Sequence, residues 1–134
     1  MYLHLLEKDE KPHFLAFARH LAEVDDQRVD ARERYMLNYM CAEMGIEAVD
    51  VESLPFNLDQ LVKVFYRGEA RRVLIVEAIG VCHANGQTHP AQRELLEKIA
   101  ARFFLPEDFL ARAEALVARQ LAVMQEFDAL LEAE

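Results

Sequence analysis

At 134 residues the chain is the size of one domain, long enough to bury about two thirds of its unfolded surface without staples. Its 24 acidic residues against 15 basic ones give a formal net charge of −9. That argues against a phosphate-tracking nucleic-acid binder, whose affinity comes from clustered Lys and Arg. The pair Arg71-Arg72 reads as a solvated helix turn in an acidic surround, not as a binding stripe.

Residues 1–10 carry acids where a signal peptide needs a long apolar stretch, so secretion by that route is not expected. The most apolar run, residues 73–82, is too short to span a bilayer and contains Glu77, so it reads as a buried core helix and no membrane insertion is expected. Cys41 and Cys82 lack a Cys-x-x-Cys partner and read as small buried hydrophobes, which suits a cytoplasmic protein.

Helical periodicity runs through the chain, and no alternating strand-like run is bounded by hairpin turns. The fold class expected is all-α, a single compact bundle of about six to seven helices over residues 1–134. A first helix over 12–24 sets Phe14, Phe17, Ala18 and Leu21 on one face, with His20 read as a packed or edge histidine. A second over 31–44 buries Met36, Leu37, Met40 and Cys41, and Gly45 supplies its left-handed cap. Asp30 and Glu33 form a capping box at its start. Residues 46–56 bridge the halves.

Asn57 then caps a third helix, with Gln60 as reciprocal partner and Leu58, Leu61, Val62 and Phe65 inward. Gly68 breaks it. A fourth helix over 69–84 carries Val73, Leu74, Val76 and Ile79, with Gly80 expected to admit a close helix crossing, and Gly86 closes it. Pro90 fits the first turn of a fifth helix running through Leu95, Leu96, Ile99 and Phe103. From Pro106 to the end, Phe109, Ala113, Leu116, Gln120, Val123, Phe127 and Leu130 follow near-heptad steps, and Leu110, Val117, Leu121, Met124 and Leu131 widen the stripe. Such a helix either packs fully within the bundle or offers its last turns to another chain, giving a homodimer.

One helix-turn-helix punctuation is written twice, 59 residues apart. In the first copy Asp26 is followed three residues on by Val29 and seven on by Glu33; in the second, Asn85 is followed by Thr88 and Gln92. Leu15 and Leu74, Arg34 and Arg93, Leu37 and Leu96, and Ala42 and Ala101 are identical at the same offset. Geometry is kept and charge is not.

This pattern resembles the tellurite-resistance TerB-like family, whose motif is a helix ending in Ala-Asp-Gly, then a β-branched residue, then a Glu opening the next helix. The resemblance covers residues 12–110. It implies a compact bacterial helical bundle linked to stress responses, with a protein partner in a membrane-associated complex and acidic motif residues that bind a divalent metal. Asp26 and Glu33 take the Asp and Glu positions of the first motif, Asn85 and Gln92 those of the second. Gln27 replaces the first motif's Gly, and the second motif holds amides where acids belong, while Asp25 and Asp30 offer replacement carboxylates.

Three readings of this cluster stand. A hard cation, calcium or magnesium, would use Asp25, Asp26, Asp30 and Glu33 with the neutral oxygens of Asn85 and Gln92. Zinc would join His83 and His89 to the first turn's carboxylates. The third reading is helix capping alone, in a protein-interaction module. Catalysis is not expected: the chain has one Ser and one Thr, no phosphate loop and no nucleophile elbow.

Overall fold

The structure, a computed structural model, describes residues 1–24, 31–47, 55–83 and 88–133. These form a short 3-10 turn at Leu3–Leu5 and six α-helices: α1 (Glu10–Glu23), α2 (Ala31–Met44), α3 (Leu58–Val64), α4 (Gly68–Cys82), α5 (Pro90–Arg102) and α6 (Phe109–Glu132). No strand occurs among the described residues. The all-α expectation therefore holds.

α4 is the axis of the bundle. It packs against α1, α5, α6 and the 3-10 turn, and nine of its fifteen residues are buried. A helix apolar on nearly every side is stable in water only when other helices enclose it. α1 supplies the facing surface with Phe14, Leu15, Phe17, Ala18 and Leu21, none more than 1% exposed. From α2, Met40, Cys41 and Met44 are buried, while Met36 and Leu37 are only partly so. Leu3 and Leu6, which precede any helical periodicity, close one end of the core.

α1 starts two residues earlier than periodicity predicts, with Glu10 as its first residue, and the Glu10 Oε1 accepts from the Glu7 N–H at 2.7 Å in the turn ahead of the helix. Pro12 then sits in the first turn, where a missing N–H costs nothing. Glu10 is 2% exposed and is held by Arg67, the residue before α4, through Nη2 to Oε1 at 2.6 Å and Nε to Oε2 at 3.1 Å. That fork joins the starts of α1 and α4.

Arg71 corrects the solvated reading of the Arg71-Arg72 pair. Its Nε donates to the Phe65 carbonyl at 2.6 Å, its Nη1 to the Phe103 carbonyl at 3.3 Å, and the guanidinium lies 5.0 Å from the Phe103 ring centre. One cation thus serves the C-terminal ends of α3 and α5, where helix carbonyls lack partners. Arg72 is exposed, as expected. Gly80 is a second correction, since a Cβ there would meet nothing within 4 Å, so no close crossing requires the glycine.

The 59-residue offset carries α1 onto α4 and α2 onto α5 to within one residue at each end. The helix ends repeat as well. After α2, the Gly45 N–H donates to the Ala42 carbonyl and the Ile46 N–H to the Cys41 carbonyl, with Gly45 at φ +71°. After α5, Phe104 donates to Ala101 and Leu105 to Ala100, with Phe104 at φ +57°. Both are Schellman closures, and the second places an exposed phenylalanine where the first has glycine.

Two outcomes are expected in urea denaturation. Arg67→Ala leaves the Glu10 carboxylate buried without its cation and costs about 3 kcal/mol. Gly45→Ala destabilises by about 1 kcal/mol, whereas Phe104→Gly, which removes the left-handed penalty from a side chain that packs on little, stabilises by up to about 1 kcal/mol.

Candidate functional site

The two turns lead out of α1 and α4 and into α2 and α5. Asp25, Asp26, Asp30 and Asn85 lie outside the described residues, as does the side chain of Glu33 in α2. Gln92 is described in full. It sits in the first turn of α5, behind Pro90, and is 3% exposed.

Its amide is used at both ends. Oε1 accepts from the His89 backbone N–H at 3.1 Å, the returning half of a capping box. Nε2 donates to the carbonyl of Leu21 at 2.9 Å, across 71 residues of sequence. Leu21 lies in the last turn of α1, four residues before Asp25. The start of the second motif's helix is therefore joined to the end of the helix that leads into the first motif. The capping role was legible in the spacing from His89 to Gln92; the bond to Leu21 was not, because sequence does not show which carbonyl faces the amide.

The chemistry follows from the side-chain type. The Leu21 carbonyl is an acceptor, and the amide NH₂ of Gln92 meets it directly. A glutamate at 92 would oppose two acceptors, which then need a proton or a cation between them.

The histidines are dispersed over the helix ends. His83 follows α4 and His89 precedes α5, both half-buried. Among the described residues no three His, Cys, Asp or Glu side chains are grouped as metal ligands. His20 is a packed edge histidine, stacked on Phe56 with ring centres 4.3 Å apart. Burial holds its pKa below the usual imidazole value against the opposing charge of Glu23. Phe56 lies in the bridge that periodicity left unassigned, so sequence could not pair the two.

Both thiols are buried. Burial, with a smaller contribution from the Glu114 carboxylate, pushes Cys82 up to about 12. Burial also raises Cys41. Neither is a thiolate at neutral pH. Glu77, the one acid in the apolar run, accepts from the Tyr2 N–H at 2.6 Å and lies 3.1 Å from the Met1 amino group. Its charge is thereby matched within the protein. No described helix is long and apolar enough to cross a membrane.

No family model matches the chain, and no curated protein does. A solved structure does: a tellurite resistance protein from Nostoc punctiforme aligns with a TM-score of 0.68 over 92% of this chain and 81% of that one, at 19% identity. The chain has the tellurite-resistance, TerB-like fold. The in-register turns at Asp26 and Asn85 in the sequence resemble the same family, so sequence pattern and architecture point the same way at 19% identity.

Replacing Gln92 tests the tie. Gln92→Leu, which removes the interhelix donor and leaves the Leu21 carbonyl with the longer 3.5 Å bond from the Val24 N–H, is expected to cost about 1 kcal/mol in chemical denaturation. Gln92→Glu is expected to be at least as destabilising at neutral pH. Its folded-state pKa is raised, so stability is regained as pH falls towards the carboxylate range, where a protonated acid donates to Leu21 as the amide did.

Proposed function

We propose that the chain is a non-catalytic helical binding protein of the tellurite-resistance type, serving a bacterial stress response through contacts with other proteins and not through a reaction centre. The observation that supports this is Gln92. The second motif is closed by an amide that satisfies both the Leu21 carbonyl and the His89 N–H. It has the architecture of a tellurite-resistance fold and does not depend on metal to hold its helices together. Both cysteines are protonated, and the buried acid Glu10 is committed to an arginine, which also fits a binding protein.

A second reading is kept for the first motif, because Glu33 stands where the second motif has Gln92 and a carboxylate cannot donate as the amide does. There Asp25, Asp26, Asp30 and Glu33 would hold a divalent cation, calcium, magnesium or zinc.

Thermal melting with each metal and with chelator separates the two. On the binding-protein reading the melting temperature of the wild type is unchanged, Asp30→Ala costs about 1 kcal/mol with or without metal, and Asp26→Ala costs little. A cation at about 100 times its dissociation constant would instead add roughly 2.7 kcal/mol. A rise in wild-type melting that Asp26→Ala abolishes overturns the metal-independent reading in favour of the second.

A further inference from the structure

α6 carries two apolar stripes, and the bundle uses one of them. Leu110, Ala113 and Val117 are buried at spacings of three and four. The heptad seam that dominates the sequence runs beside them; its first members, Phe109 and Ala113, are covered by the bundle, and beyond them it is left open: Leu116 is 61% exposed, Val123 48%, Phe127 59% and Leu130 69%. Beyond Val117 every described residue of α6 is exposed, so about 22 Å of helix lies outside the buried core, touching the body at Gln120, whose Nε2 is 3.3 Å from the Met1 Sδ. A contiguous seam of this class exceeds the scattered apolar exposure normal for a monomer surface.

We propose that this seam pairs with the same seam of a second copy of the chain, antiparallel and centred on Val123. Charge selects both partner and direction. Arg119 and Glu126 flank the seam on one side, seven residues apart, so they occupy equivalent positions. In an antiparallel pair with Val123 facing Val123, Leu116 packs against Leu130 of the other copy and Arg119 comes level with its Phe127, one residue from Glu126 on the same flank, twice by symmetry. A parallel pair sets Arg119 and Glu126 level with their own kind. Antiparallel alignment also sets the two helix dipoles in opposition, which a parallel pair does not.

An anionic lipid surface is disfavoured by Glu126, Asp128 and Glu132 on the projecting turns and by the net charge of −9. Paired over this length, the two seams approach the low end of specific interfaces, about 1,200 Å² in total. Self-association in the micromolar range is the expected outcome. This deepens the binding-protein reading by naming the partner of one surface.

Sedimentation velocity of the full chain from about 1 to about 100 μM tests it. The wild type is expected to shift from monomer to dimer across that range. Phe127→Glu is expected to remain monomeric, with melting unchanged at about 1 μM, where the wild type is monomeric too, since the side chain lies outside the core. Arg119→Glu and Glu126→Arg should each weaken dimerisation about tenfold, and combining them should restore it. Direction is read by oxidation: Leu116→Cys cross-links to itself only in a parallel pair, while a mixture of Leu116→Cys and Leu130→Cys chains cross-links in the antiparallel one. A monomeric wild type at every concentration, or a Leu116→Cys homodimer, overturns the proposal. Neither result bears on the metal-independent melting that tests the binding-protein reading.

Discussion

The requirement that α4 be enclosed organises the molecule. Its buried face leaves almost no side for water, so α1, α5, α6 and the leucines of the first residues have to close around it. The polar groups drawn into that enclosure are matched one by one. Arg67 meets Glu10 at the head of α4, Arg71 serves two helix ends one turn further, and Glu77 takes the Tyr2 amide midway. Each of these is a charge whose partner comes from a different element. Burial of the apolar axis and satisfaction of the charges along it are therefore one packing problem.

The duplicated helix pair shows how equal geometry supports unequal chemistry. α1–α2 and α4–α5 coincide at the 59-residue offset down to the Schellman closures at Gly45 and Phe104. Backbone constraints act the same way in both halves, because a helix must end and its last carbonyls must be satisfied wherever it occurs. Side chains are not bound by that equality. An amide at position 92 both accepts and donates, so it ties two helices with no charge, whereas Glu33 at the equivalent place only accepts when ionised.

α6 illustrates a different freedom. Its apolar residues cover more of the circumference than the bundle covers, and the bundle takes the stripe of Leu110 and Val117. The neighbouring heptad seam has an equally regular period and, from Leu116 to Leu130, its apolar residues stay exposed. A periodic pattern identifies faces able to be buried; only the position of the neighbouring helices decides which face is.

What the sequence determined by itself was local. The all-α class, the start of α2 at Ala31, the Asn57 cap, which accepts from Gln60 N–H at 2.9 Å, the left-handed cap at Gly45 and the first-turn place of Pro90 all follow from interactions within a few residues. So did the repeat, since equal spacing of turn residues is visible in one dimension. Tertiary structure decided the rest. It turned Arg71 inward, left Gly80 without a close neighbour, stacked His20 on Phe56, buried Glu10 against Arg67, and aimed the amide of Gln92 at Leu21. Each of those outcomes depends on a group distant along the chain, and side-chain periodicity fixes the face a residue occupies without specifying what stands opposite it.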